Sequence, residues 1–194
     1  MTTIYVAGFD PSFNNFGIVT AGVCIETQEV FIFDMELVAS KPDKAVRKVV
    51  RKNSEDLARA RVLQQAMAGA CEGKTIAFAE VPVGSQSARA MASYGVCVGV
   101  LASCPIPLVE VTPSEVKMAG AGTKTASKDD MIQWAVAKHP NAPWRRTKRN
   151  GVMVLTNDNE HLADALAAIY AGMATEQFRL FAAAVRASVR GSLL

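Results

Sequence analysis

The sequence predicts an α/β protein with a mixed five-stranded central sheet and helices on both faces. Three observations predict it. Residues 3–37 hold three apolar, strand-like runs joined by short polar turns, the pattern of an antiparallel meander. Helical and strand-like segments then alternate, as parallel crossover connections require. Finally, the segments from 112 to 190 are mostly helical in pattern and supply the layers that must cover such a sheet. With 194 residues, half of them hydrophobic and 20% charged, the chain is expected to form one globular domain over 1–194, with a core at 3–174 and a C-terminal helix at 175–190.

The elements follow from local chemistry. Residues 3–10 are a β-branched apolar run that ends in Asp10, with a turn cluster at Pro11–Asn15. Residues 16–25 and 29–37 read as two more strands joined at Thr27-Gln28. The polar stretch 40–52 reads as a loop. Asn53 or Ser54 then caps a helix that runs to Cys71 and stops at Gly73. Residues 75–81 are a buried strand ending in Glu80, and 85–103 read as a buried alanine-rich helix whose Gly95 and Gly99 permit close packing. A short strand at 107–111 leads into a capping box, Thr112 with Glu115 and Pro113 at the first helical position. Gly120-Ala121-Gly122 breaks that helix, and Ser127 caps the next, to Lys138. Asn150-Gly151 between 145–149 and 152–156 is a hairpin signal. Asn157 or Asp158 caps a helix to Met173, and an amphipathic helix fills 175–190.

Composition narrows the function classes. No charge-free apolar run reaches the roughly 18 residues of a membrane span. The N-terminus has no basic n-region, so a cytoplasmic protein is expected, in the host cytoplasm if the source is viral. Cys24, Cys71, Cys97 and Cys104 form no CxxC pair and read as core fillers rather than zinc ligands. The net charge of +3 hides an asymmetry. Residues 41–61 hold eight Lys/Arg against three Asp/Glu, and 117–149 hold eight against two. Two basic patches on an otherwise acidic chain point to a polyanionic partner.

The acids point to a metal. Asp10 and Glu80 each end a strand, and His161 and Asp164 stand three apart on one helix face. Strand ends and a flanking helix meet at the carboxyl edge of an α/β sheet. Carboxylates crowded there repel one another unless a cation neutralises them. Hard oxygen ligands suit Mg²⁺ or Mn²⁺, and two such ions about 4 Å apart promote phosphodiester hydrolysis. Glu160, four before Asp164, reaches the same side, and Glu160 and Asp158 also read as first-turn residues favoured by the helix dipole.

Four segments resemble the RuvC-type Holliday junction resolvases: GFDPSFNNFGI (8–18), FAEVPVGSQSARAMASYGVCVGVL (78–101), VTPSEVKMAGAGTKTASKDDMIQWAV (111–136) and EHLADALAAIYA (160–171). They occur in family order over residues 4–171. The resemblance implies a ribonuclease-H-like fold, a homodimer, two divalent ions per site and resolution of four-way DNA junctions by paired nicks. It implies Asp10, Glu80, His161 and Asp164 as the metal-binding and catalytic set. Lys117 and Lys128 match the family's backbone-binding lysines, and Lys124 lies between them. Two departures stand out. Val81, Pro82 and Val83 occupy the place where the family commonly carries a stacking aromatic, and 140–156 is longer and more basic than the family linker. There Arg145, Arg146, Lys148 and Arg149 are expected on the DNA backbone, with Trp144 as a candidate for base stacking. The rival readings are a nuclease of other branched DNA or of RNA, a junction binder without activity, and an actin-like phosphotransferase. The last needs a second glycine-rich phosphate loop and a longer chain.

Overall fold

The fold is described from a computed structural model covering residues 1–41, 49–84 and 87–191. Strands β1 (Thr3–Asp10), β2 (Asn15–Cys24) and β3 (Val30–Ala39) form the antiparallel meander; β4 (Ile76–Glu80) and β5 (Leu108–Val111) extend it in parallel. The strand order is β3-β2-β1-β4-β5, the mixed five-stranded sheet expected. Helices α1 (Val49–Cys71) and α2 (Ala88–Ala102) cover one face; α3 (Pro113–Ala119), α4 (Lys128–Lys138), α5 (Asn159–Met173) and α6 (Glu176–Gly191) lie on the side of the other. Among the described residues, no helix is long and apolar enough to cross a membrane.

Strand periodicity sorts the core into two layers. Ile4 and Val6 of β1, Val19 and Ala21 of β2, and Ile76 and Phe78 of β4 face α5, meeting Leu162, Ala165, Leu166 and Ile169. The alternate residues Ala7, Phe9, Phe16, Ile18, Ala77 and Ala79 meet Leu63 and Met67 of α1 and Cys97, Val100 and Leu101 of α2. Helix α5 lies unusually close to the sheet. A Cβ at Gly8 would collide with Ala165 O and Ile169, and one at Gly17 with the main chain of His161. Both glycines are on the α5 face, so the contact needs hydrogen at both positions.

Local signals hold where the chemistry is local. Thr112 with Glu115, and Ser127 with Asp130, each form the reciprocal capping box. Strands β6 (Arg146–Arg149) and β7 (Val152–Leu155) pair as a separate two-stranded ribbon. Its turn has φ 48° at Asn150 and 83° at Gly151, the left-handed pair a tight hairpin demands.

Four expectations need correction. Helix α1 is already helical at Val49, so Asn53 and Ser54 lie inside it and cap nothing; the flanking Arg and Lys are good helix formers and carry the helix past them. Most of the anticipated loop 40–52, at 42–48, lies outside the described residues, as do positions 85–86 of the anticipated second helix. Helix α2 is buried only along Cys97, Val100 and Leu101, and a Cβ at Gly95 or Gly99 would meet nothing within 4 Å. Cys104 is half-buried, unlike the other three cysteines. Asp158 occupies the cap position of α5 without a side-chain capping bond.

Candidate active site at the carboxyl edge of the sheet

Strands β1 and β4 run parallel, in register through Phe9↔Ala79, so Asp10 and Glu80 end them side by side. By the period of two, Asp10 shares a face with Val6, and Glu80 shares one with Phe78. Both carboxylates therefore point to the α5 side. Helix α5 brings His161 and Asp164 to them, one helical turn apart. His161 Nδ1 donates to Asp10 Oδ2 at 2.6 Å. Gly17 pairs with Asp10 across the β1–β2 ladder and admits the main chain of His161, so the hydrogen-bonded pair rests on that glycine.

The electrostatics of the pocket are those of crowded, partly dehydrated acids. Burial, then the charges of Asp10 and Asp164, push Glu80 up to about 8, with Lys117 opposing. Burial and Asp10 push Asp164 up to about 7; Glu160 adds to this, and His161 and Lys117 oppose. Burial works to lower the His161 imidazolium, but the hydrogen bond and charge of Asp10, with Glu160 and Asp164, outweigh it and hold it above the ordinary value. Asp10 and Asp164 act by their charges on Glu80, and Asp10 and His161 on Asp164, so the structure brings the four residues to one end of the sheet, with Asp10 and His161 in hydrogen-bond contact. Lys117 joins them from α3 through its charge.

Glu160 stands in the first turn of α5 as expected, and it has a second role there. It accepts from Lys128 Nζ at 2.6 Å, and the same oxygen lies 3.6 Å from His161 Nε2. This hydrogen bond raises the Lys128 ammonium above its ordinary value. Glu160 is thus part of the rim of the pocket as well as a first-turn acid. Its spacing of four from Asp164 is the only sequence signal that places it there. Lys124 is exposed on the loop between α3 and α4.

The basic hairpin leaves the chain just before α5. Arg145, Arg146, Lys148 and Arg149 are all exposed. Trp144 is not available for stacking on a base: it is 6% exposed, and its indole N–H donates to His139 O at 2.8 Å. An aromatic among cations reads as a nucleic-acid contact, yet here its apolar body is needed in the core beside α4 and α5. The hairpin base is held by buried Asn159. Its Oδ1 accepts from Arg145 N at 2.9 Å, and its Nδ2 donates to Arg145 O at 2.8 Å and Thr156 O at 2.9 Å.

Behind the pocket, buried Arg59 of α1 fixes the turn that follows Asp10. Its guanidinium donates to Phe13 O at 2.8 Å, to Asn14 Oδ1 at 2.7 Å and to Ser40 O, pairs with Asp56 at 3.1 Å, and lies 3.8 Å over the Phe13 ring. Nothing in the sequence distinguished this arginine from its exposed neighbours.

The donor set, three carboxylates with one imidazole, fits a hard divalent cation: the pocket's own cations leave Glu80 and Asp164 strongly perturbed. The donors are not gathered around a ready-made centre. Among the described residues, no three His, Cys, Asp or Glu side chains stand close enough to hold an ion as placed.

No protein-family model matches the sequence, and no curated protein matches it. Solved structures do. RuvC of Thermus thermophilus in complex with Holliday junction substrate aligns with a TM-score of 0.58 at 18% identity, over 87% of this chain and 92% of that one. A second Thermus thermophilus RuvC structure gives 0.57 at 18% identity, with the same coverage. At this identity the likeness is one of fold, and the chain has the ribonuclease-H-like fold of RuvC.

Proposed function

We propose that residues 1–194 form a divalent-metal-dependent, structure-selective DNA endonuclease that resolves four-way junctions by paired symmetric nicks. The observation that carries the reading is the convergence of Asp10, Glu80, His161 and Asp164 at the sheet's carboxyl edge, in a fold shared with a protein solved on a Holliday junction. Asp10, Glu80 and Asp164, with His161, would hold Mg²⁺ or Mn²⁺, two ions per site. Such ions supply an acidified water and neutralise charge on the leaving 3′ oxygen.

The chain's own residues then have distinct tasks. Asp10 is hydrogen-bonded to His161, and its charge acts on Glu80 and Asp164, so it would be one of the residues that hold the metal. His161 is oriented by its Nδ1 bond to Asp10, which leaves Nε2 toward Glu160 and the rim. Lys117 offsets the carboxylate charge from inside the pocket. Lys128 is 76% exposed at its side chain, so it is free to turn from Glu160 to a phosphate at the rim. Lys124 and the cations of the hairpin, Arg145, Arg146, Lys148 and Arg149, supply further backbone contacts. Two nicks on opposed strands need two sites, hence a homodimer. Helix α2 supports one: Gly95 and Gly99 face open space beside the exposed Val98, a stripe that admits close approach of a second helix.

The test is incubation with a labelled four-way junction and a matched linear duplex in Mg²⁺, Mn²⁺ or EDTA. Symmetric nicks on the junction alone are expected. They should be absent in EDTA and reduced at least about 10³-fold in Asp10→Asn. Junction binding without cleavage in either metal would reassign the chain as a structural binder. Preferred cleavage of RNA or of other branched DNA would reassign the substrate.

A further inference from the structure

The tip of the β6–β7 hairpin has a composition that the fold does not use. Arg146 to Arg149, Val152 and Met153 are exposed, and two of them are apolar: Val152 at 64% and Met153 at 54%. Cross-strand pairing sets Met153 opposite Lys148 and Val152 opposite Arg149. Each face of the ribbon tip therefore presents one apolar side chain beside one cation. Single exposed apolar residues are ordinary on a protein surface. One apolar side chain on each face at the end of a ribbon, each set beside a cation, is a different arrangement. The cations draw it to a polyanion, and the apolar groups gain there only by meeting bases.

The ribbon is also aimed. Its base is clamped by Asn159, and the next two residues are Glu160 and His161 of the pocket. Thr156 N–H closes the base further by donating to Arg145 O at 3.1 Å. Four strand residues at about 3.3 Å each carry the tip ~13 Å from this anchor, roughly the rise of four stacked base pairs. A two-stranded ribbon is narrow enough to enter a major groove.

We infer that the hairpin is a second DNA-contact site outside the acidic pocket, where Val152 and Met153 wedge against unstacked bases at the branch point while Arg146, Lys148 and Arg149 hold the flanking phosphates. The inference rests on the reading of the chain as a branched-DNA nuclease. Apolar side chains that enter a base step must unstack it, and the cost is least where stacking is already interrupted. The branch point is such a place, and a continuous duplex is not. The wedge therefore adds preference for branched substrate without touching the reacting phosphate.

The experiment uses the full chain in EDTA, so that no strand is cut, with a four-way junction carrying 2-aminopurine beside the branch and a linear duplex carrying it centrally. Wild type is expected to raise the fluorescence of the junction and not that of the duplex. Val152→Ser/Met153→Ser is expected to lose at least about half of that rise, with junction affinity within roughly tenfold. Its melting temperature should match wild type, because neither side chain is buried. Equal rises in the two proteins, or none in either, overturn the wedge and leave the nuclease reading standing. Failure of the wild type to bind the junction overturns both.

Discussion

Helix α5 and the β6–β7 hairpin are joined by residues 156–158 and are built on opposite principles. In α5 eleven residues are buried, and the sheet beneath carries glycines to let the helix in. Its His161 and Asp164 are held by packing that tolerates almost no change of volume. The hairpin residues Arg146 to Met153 touch no core at all. On the proposed function, the difference separates two demands on a phosphodiester-cleaving protein. Catalytic groups must be placed within fractions of an ångström and so belong to the interior, where their like charges destabilise it. Groups that grip a long polyanion need reach, so they belong on an arm whose composition is free of the fold.

The harshest test of that contrast is Gly17→Ala. A methyl group there would collide with the main chain of His161, which no side-chain rotation relieves. The substitution should lower the stability by about 3 kcal/mol, read from urea unfolding. Cleavage should fall with it, because α5 and the Asp10–His161 bond move together. Alanine in place of Gly151, at the hairpin turn, strains a φ of 83° but meets no neighbouring atom, so its cost should stay near 1 kcal/mol. Equal losses at the two glycines would erase the distinction between the regions.

The acidity of the pocket gives the next effect. Glu80 and Asp164 keep their protons to about 8 and about 7 when folded, against ordinary carboxyl values of 4.5 and 3.8. The folded state thus binds more protons than the unfolded chain across that window, and stability falls as pH rises through it. His161, held above its ordinary value, has the same sign. The stabilisation is complete below the ordinary carboxyl values and lost above about pH 8. Without divalent metal, Tm should fall by roughly 5 °C between pH 5 and pH 8.5, on the order of 2 kcal/mol after allowance for screening and for the mutual coupling of the two acids. Asp164→Asn should flatten the slope, as should millimolar Mg²⁺ or Mn²⁺ in the wild type. A flat profile in EDTA would mean that the pocket is already compensated.

How much of this was legible in the sequence differs by region for physical reasons. Strand parity and chain order suffice to put Asp10 and Glu80 at one sheet edge, and helical spacing suffices for His161 and Asp164. The hairpin was legible because Asn150-Gly151 determines its own turn. What failed to show depends on partners distant in the chain. Glu160 is legible as a first-turn acid, but its bond to Lys128, which draws it into the rim, is not. Trp144 looks like a stacking aromatic until His139 O takes its indole proton. Arg59 is one cation among many until Phe13, Asn14 and Ser40 surround it. The alanine- and glycine-rich α2 reads alike whether its small face meets its own core or open space.

The smallest effect on stability, and the cleanest on binding, belongs to the hairpin cations. Arg146 and Lys148 lie on the same side of β6, both exposed. Replacing both by alanine removes charge and stem from water rather than from a core, so the unfolding free energy should change by no more than about 0.5 kcal/mol. The junction-binding constant should respond differently. Removing one cation from a phosphate reduces the slope of log K against log salt by about 0.9, so the double substitution should flatten it by nearly 2. Affinity should drop most at low salt and converge on the wild type as salt rises, because what the variant lacks is counterion release. Unchanged salt dependence would remove Arg146 and Lys148 from the DNA-binding surface and leave Lys117, Lys124 and Lys128, with Arg145 and Arg149, to carry the polyanion.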